Sequence, residues 1–323
     1  MSISKATTVD VIIPTYNGMP YLEETVKSIL DQDHKKLKLY VIDDGSKDDG
    51  LTETFVKSLK DKRVHYFRQK NGGQAKARNT GIKISNSPLI AFCDADDLWR
   101  NNKLSRQIEI IMRSPNLGLV YGSIDVVDKD KKYIRSIKAK YRGNIFPDLL
   151  EGNCIAGSAS MALISRAALN DVGNFREDLM IGEDWELWLR LAKKYEFDYA
   201  HDVLADLRSL DDGMQQNWEK MASGLTFMLP IMISELSLKR NEKRILTASC
   251  MWQASHYYYF NKQHIKAIDC MTRCLIANPL YFGDKERYFS ILSIYFSRRV
   301  ANILTRIFRK INSEYYKRIR NNP

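Results

Sequence analysis

The feature that most constrains this chain is a rhythm through its first 120 residues. Short apolar runs rich in Val and Ile, at 9–14, 37–42, 64–67, 89–93 and 118–121, alternate with longer amphipathic runs at 21–30, 52–59, 74–84 and 103–112. The short runs lack the polar alternation of a strand with one wet face, and suit parallel strands buried on both faces. The alternation predicts βαβ units and an α/β layered sheet.

The rest of the chain reads differently. Residues 122–142 are polar and charged and read as a β-excursion or loop. Residues 159–164 read as a strand followed by a short helix from Ser165, 183–195 as a helix and 205–216 as a loop. From about Trp218 the pattern is helical, with punctuation at Asn241, Asn261, Asn278-Pro279 and Gly283-Asp284. Ala254, Tyr258, Ala267, Cys274, Ala277 and Pro279 loosely follow a tetratricopeptide rhythm. A single copy cannot bury both its faces, so a helical hairpin packed on its neighbours is expected. The predicted organisation is an α/β domain over 1–215, with halves of about 8–121 and 122–215, and a helical region over 216–323.

Composition narrows the class. With 44% hydrophobic and 28% charged residues the chain can build a full core, which excludes wholesale disorder. The formal charge of +11 calls for an anionic partner: nucleic acid, a lipid surface or a phosphorylated substrate. Residues 286–323 hold nine Lys/Arg against Glu286 and Glu314, so much of the excess lies in the tail. The five cysteines include no CxxC pair, and Cys270 and Cys274 lack further ligands at metal spacing, so core thiols in a reducing cytoplasm are expected. The N-terminus has no apolar leader-like run, and no run reaches the roughly 18–20 residues of a membrane span.

In open α/β sheets, ligands bind beyond the carboxyl ends of the strands. Here the first strand ends in Pro14-Thr15-Tyr16-Asn17, the second in Asp43-Asp44-Gly45-Ser46 and the fourth in Asp94-Ala95-Asp96-Asp97. Three polar ends, two of them carboxylate clusters, would gather on one rim. Crowded carboxylates raise one another's pKa unless a cation lies between them, which suits Mg²⁺ or Mn²⁺. Turn and N-cap chemistry is the alternative for each cluster alone. Asn71-Gly72-Gly73 opens a helix carrying Lys76 and Arg78 in its first turns, a setting that favours an anion. Asp184 heads a stripe of Leu187, Trp188 and Leu191, and is either a plain N-cap or a partly desolvated base.

In this order and at this spacing, Val11-Ile12-Ile13-Pro14-Thr15-Tyr16-Asn17, Asp43-Asp44-Gly45-Ser46, Asn71-Gly72-Gly73 with Ala77-Arg78-Asn79, Asp94-Ala95-Asp96-Asp97 and Glu183-Asp184 resemble family 2 glycosyltransferases over about residues 8–210. The resemblance implies a GT-A nucleotide-diphospho-sugar transferase fold, a Rossmann-like mostly parallel sheet with an all-α C-terminal extension. The donor half would be 8–121 and the acceptor half 122–215. It implies that Pro14, Thr15, Tyr16, Asp43, Asp44, Asn71, Arg78 and Asp94 bind the donor nucleotide, uridine in most members. Asp96 and Asp94 would hold Mg²⁺ or Mn²⁺ as a DxD motif, Asp96 more directly and Asp94 nearer the ribose. Asp184 would be the general base with Glu183 beside it, and Trp185 would border the acceptor. The activity implied is inverting transfer from a nucleotide-diphospho-sugar to a glycan or lipid-linked acceptor in surface polysaccharide synthesis. Many relatives carry a His in a Tyr-Arg-x-His stretch after the catalytic helix. The comparable stretch here is Leu207-Arg208-Ser209-Leu210-Asp211-Asp212, which leaves further metal ligation open.

Two competitors fit less well. A sugar nucleotidyltransferase would need a Gly-rich, basic N-terminal loop, which the Pro14-Thr15-Tyr16-Asn17 turn lacks. A nucleic-acid binder would interleave aromatic and basic residues on a recognition surface. In the tail the basic residues instead back an apolar arc of Phe289, Leu292, Phe296, Val300, Ile303, Leu304, Ile307 and Ile311. Two readings of that tail stand: an interfacial helix on an anionic membrane, which would make the protein cytoplasmic and peripheral on the inner face, or a helix packed on the catalytic domain.

Overall fold

The computed structural model describes residues 7–210 and 217–278. The tail arc, Pro279, Gly283-Asp284 and Asp211-Asp212 lie outside the described residues.

The predicted strands form where the apolar runs lie: β1 (Val9–Thr15), β2 (Leu37–Asp43), β3 (Val64–Arg68) and β4 (Leu89–Phe92). Between them run α1 (Tyr21–Leu30), α2 (Leu51–Ser58) and α3 (Gln74–Ile84). All seven residues of β1 are buried, and β1 pairs in parallel with β2 on one side and β4 on the other. β3 extends the set in parallel beyond β2. The carboxyl ends of β1, β2 and β4 therefore reach one rim.

The second half departs from the expectation. After β5 (Leu98–Trp99) and α4 (Lys103–Ile111), the strand expected at 118–121 is an eleven-residue β6 (Leu117–Val127). It turns back into β7 (Tyr133–Ile137), so 122–142 is largely a hairpin. After α5 (Phe146–Leu150), the strand expected at 159–164 divides into one helical turn, α6 (Ser158–Met161), and a short β8 (Leu163–Ser165). Then come α7 (Arg166–Val172), α8 (Glu183–Ala192) and the thirteen-residue β9 (Glu196–Arg208). The helix expected over 183–195 thus ends three residues early, and 205–208 is strand rather than loop. The sheet order is β3-β2-β1-β4-β8-β6-β9-β5, with β7 on the far end of β6. β8 runs antiparallel to both β4 and β6, whereas β9 runs parallel to β6.

The helices α9 (Trp218–Glu235), α10 (Arg240–Phe260) and α11 (His264–Ala277) follow. Asn241 does not break a helix; it lies in the first turn of α10. Ala254, Tyr258, Ala267 and Cys274 are buried where α10 packs on α11, the hairpin expected from the repeat-like rhythm. Met228, Leu229, Leu246 and Met251 belong to the same buried apolar cluster as Trp185, Leu187 and Trp188 of α8. The described helices α9 to α11 and the sheet thus share one core. All five cysteines are free, and Cys270 and Cys274 are buried.

Candidate active site

The rim is built by carboxylates that fold the chain around themselves. Asp43, at the end of β2, accepts from the Ser46 N–H at 2.8 Å and from the Tyr66 hydroxyl at 2.6 Å. Asp44 accepts from Gln69 Nε2 at 2.7 Å and from the backbone N–H of Gly72 and Gly73, down to 2.7 Å. Both side chains are buried and hold the turn that follows β2 against the loop before α3. Gly45 lies at φ +77°, and a Cβ there would stand 2.9 Å from the Asn71 backbone nitrogen. The expected turn chemistry is therefore real, and it joins Asp43-Asp44-Gly45-Ser46 to Asn71-Gly72-Gly73. Asn71 is exposed beside it.

Pro14 and Thr15 end β1, and Tyr16 stands out from the rim at 47% exposure. Among the described residues the buried Thr15 hydroxyl has no hydrogen-bond partner, a polar atom facing the position where Gly18 lacks a side chain. A Cβ on Gly18 would come within 2.4 Å of it.

The loop after β4 is held from several directions. The Asp94 N–H donates to Ser160 Oγ at 2.9 Å, and Thr25 Oγ1 of α1 donates to the Ala95 carbonyl at 2.9 Å. Arg208, at the end of β9, donates from Nη1 to the Asp96 carbonyl at 2.9 Å, and its own N–H donates to Asp97 Oδ1 at 3.2 Å. The Arg208 side chain is almost wholly buried, ion-pairs with Glu24 and lies over the Tyr21 ring. Burial and the nearby carboxylates of Asp96 and Asp94 push the Asp97 carboxyl well above its usual range. Arg208, Thr25 and Ser160 carry no motif of their own. Arg208 is signalled only by its place in the stretch where relatives carry a His.

Arg78 spans the rim. Its guanidinium is buried, with Nη2 on Asp94 Oδ1 at 2.7 Å and Nη1 on Glu183 Oε1 at 2.7 Å, and it lies 5.4 Å over the Phe175 ring. Burial pulls its pKa down, but the Asp94 and Glu183 carboxylates outweigh that and drive it further up from an already high value. Gln74 Nε2 adds a second donor on Glu183 Oε1 at 2.7 Å. Arg78 is thus a strut between β4 and α8, with two nitrogens engaged by protein carboxylates and Nε buried without a partner.

Glu183 and Asp184 are adjacent but differently placed. Glu183 is buried under Arg78 and Gln74. Asp184 is half-buried, accepts from the Trp185 N–H at 2.6 Å and receives a long contact of 3.4 Å from Asn153. The N-cap of α8 is Gly182 at φ +76°, not Asp184. Burial, then the neighbouring Glu183, push the Asp184 carboxyl up to about 7. The stripe beneath it, Leu187, Trp188 and Leu191, is buried as the periodicity requires. Trp185 is also buried, and its Nε1 donates to the Leu149 carbonyl at 2.7 Å, so it presents no open face to an acceptor.

The residues fit a shared divalent ion better than a resident one. Among the described residues no three His, Cys, Asp or Glu gather as a metal cage. Asp94 and Asp96 offer two hard oxygen donors in one short loop beside Asp97, whose carboxyl is raised by burial first and by these two neighbouring charges second, a repulsion that a cation would relieve. Mg²⁺ is held in just this way, by one or two carboxylates completed by phosphate oxygens and water.

The family model described as Glycosyl transferase family 2 matches residues 10–173. An uncharacterized glycosyltransferase of Rickettsia bellii is 37% identical over 219 residues, 67% of this chain but 31% of that protein, so the match spans about a third of the relative's length. The Escherichia coli protein named UDP-Glc:alpha-D-GlcNAc-diphosphoundecaprenol beta-1,3-glucosyltransferase WfgD is 31% identical over 57% of this chain and 70% of its own. Among solved structures, Staphylococcus aureus TarS 1–349 in complex with UDP-GlcNAc superposes with TM-score 0.65 at 17% identity, covering 96% of this chain and 92% of that one. The mannosyltransferase PcManGT from Pyrobaculum calidifontis, in complex with GDP-Man and Mn²⁺, does so with TM-score 0.59 at 19% identity, covering 98% and 88%. Sequence match and architecture converge: the chain belongs to glycosyltransferase family 2 and has the GT-A fold.

Proposed function

We propose that the chain is an inverting, metal-dependent glycosyltransferase. It takes a sugar from a nucleotide-diphospho-sugar, a UDP-sugar by preference, and places it on a hydroxyl of a glycan or lipid-linked acceptor for surface polysaccharide. A single observation carries the mechanism. Of the two acids that open α8, Glu183 is committed to Arg78 and Gln74, whereas Asp184 is half-buried with its pKa raised towards neutrality. A general base works best when its pKa lies near the working pH, and Asp184 meets that condition.

The remaining roles follow from placement. Tyr16 offers an exposed aromatic face and Thr15 an unpaired hydroxyl for the nucleoside. Asp43 and Asp44 act by shaping the loop through Gly73, and Asn71 borders it. Arg78 and Glu183 fix Asp184 relative to Asp94, so that base and donor are held by one strut. Asp96 and Asp94 would hold Mg²⁺ or Mn²⁺, which would offset the charge growing on the departing diphosphate. Asp184 accepts the acceptor's proton while that hydroxyl attacks the sugar.

The naming of WfgD supports a UDP-sugar donor and a diphosphate-lipid acceptor. The Mn²⁺ in the PcManGT complex supports the metal. The test is turnover across a panel of nucleotide sugars with and without Mn²⁺. Donor breakdown that requires Mn²⁺, and that Asp96→Ala abolishes while the circular dichroism spectrum is kept, is expected. Equal turnover in chelator, or full activity in Asp96→Ala, would overturn the metal assignment.

A further inference from the structure

The hairpin of β6 and β7 has a composition that the site does not use. Residues 129–142 hold seven cations, Lys129, Lys131, Lys132, Arg135, Lys138, Lys140 and Arg142, against the single acid Asp130. All eight are exposed. Every residue of β7 is exposed as well, including Tyr133 at 60%, Ile134 at 48% and Ile137 at 37%. The ribbon is ordered at its base, where Ile124 pairs with Ile137 and Ser136 Oγ donates to Asp125 Oδ1 at 2.6 Å. With +7 in residues 286–323 and +6 here, the rest of a chain of formal charge +11 is slightly acidic. The hairpin is therefore a strongly basic surface on an otherwise near-neutral set of residues.

We infer that this hairpin docks the protein onto an anionic lipid surface. Protecting a strand edge from stray pairing takes a Lys or two. Seven cations interleaved with three large exposed apolar side chains exceed that need. A bilayer of acidic lipids satisfies both sets at once: headgroups attract the cations, and the interface takes up the Tyr and Ile side chains. A soluble polyanion would meet the charges and leave the apolar groups in water.

The hairpin is tied to the active-site rim. Lys131 at its turn pairs with Glu24 Oε1 at 2.8 Å, Glu24 pairs with Arg208, and Arg208 holds the Asp96 carbonyl. Docking there would place the Asp94–Asp97 loop beside the membrane. The inference does not depend on the sugar-transfer reading, because lipid binding is measured without substrate.

The experiment is flotation of the full chain with vesicles of phosphatidylcholine alone or mixed with phosphatidylglycerol, with soluble polyphosphate binding measured in parallel. The chain is expected to float with the phosphatidylglycerol vesicles and not with the neutral ones. K132E/R135E/K138E is expected to cut that binding at least about tenfold, since each basic residue at an anionic surface contributes measurably. Y133S/I134S/I137S, which keeps the charges, is expected to cut it several-fold and to leave a remainder that high salt removes. Binding by K132E/R135E/K138E equal to wild type would overturn the inference and leave any attachment to the tail. So would wild-type failure to float, or capture of polyphosphate without capture of vesicles.

Discussion

At the scale of single residues, the site turns on which carboxylates are already engaged. Arg78 sits between Asp94 and Glu183, and its removal would leave the buried Glu183 without its cation. Breaking such a buried pair costs about 3–5 kcal/mol, so Arg78→Ala is expected to lose stability on that scale in urea unfolding. Arg78→Lys should recover little of it, because an ammonium cannot fork to both acids. Arg208 acts on the other side of the loop. Arg208→Lys keeps the charge but cannot hold Glu24 and the Asp96 carbonyl together, so apparent Mn²⁺ affinity should fall about 10–100-fold with the fold retained, read by metal titration of donor turnover. The raised Asp184 carboxyl sets the pH response. A base must be unprotonated to act, so transfer should fall as pH drops through about 7, well above the range of an ordinary Asp. A profile flat down to pH 5 would place the working base elsewhere. The acid heading an apolar stripe was legible in the sequence. The engagement of Glu183 was not, because its partners lie on α3, more than a hundred residues earlier.

At the scale of elements, the parallel half was legible because its strands are buried on both faces and read as plain apolar runs. β7 and the end of β9 were not. Every residue of β7 is wet, and β9 carries His201, Asp202, Asp206 and Arg208, the composition of a loop. Their strand state comes from pairing with β6 and from buried partners for the charges, as Arg208 shows. Turn chemistry was half legible. Asp43-Asp44-Gly45-Ser46 is a turn as its residues suggest, but its carboxylates also hold a second loop. That arrangement makes Gly45 exacting. Gly45→Ala would force a Cβ into the left-handed region and against the Asn71 and Gln69 backbone, which cannot swing aside as a side chain can. A loss of more than about 1 kcal/mol is expected in thermal unfolding, with weaker nucleotide binding alongside.

At the scale of the molecule, the described helices α9 to α11 share the core of the sheet. Gly224 of α9 faces Ile181 so closely that a Cβ would lie 2.6 Å from the Ile181 Cβ, and Met228 abuts Gly182 at the start of α8. Gly224→Val should therefore wedge α9 from the segment carrying Asp184. It is expected to cost about 1–3 kcal/mol, with a loss of transfer and a single unfolding transition, seen by calorimetry. A change confined to a separate helical transition would show the two regions to be independent. Net charge was legible from the sequence, but its placement was only partly so. The tail excess is visible as a run, whereas the second basic surface emerges once 122–142 is known to be a hairpin. Among the described residues no helix is long and apolar enough to cross a membrane.

In the proposed mechanism Asp184 takes the acceptor's proton while Glu183 and Arg78 only hold it in place. The most direct measurement compares Asp184→Asn with wild type in two assays, UDP affinity by calorimetry and rate of sugar transfer. Unchanged affinity and transfer lowered by about 10²–10⁴-fold, the scale of a lost general base, are expected. Transfer at the wild-type rate, or a parallel collapse of UDP affinity, would contradict it.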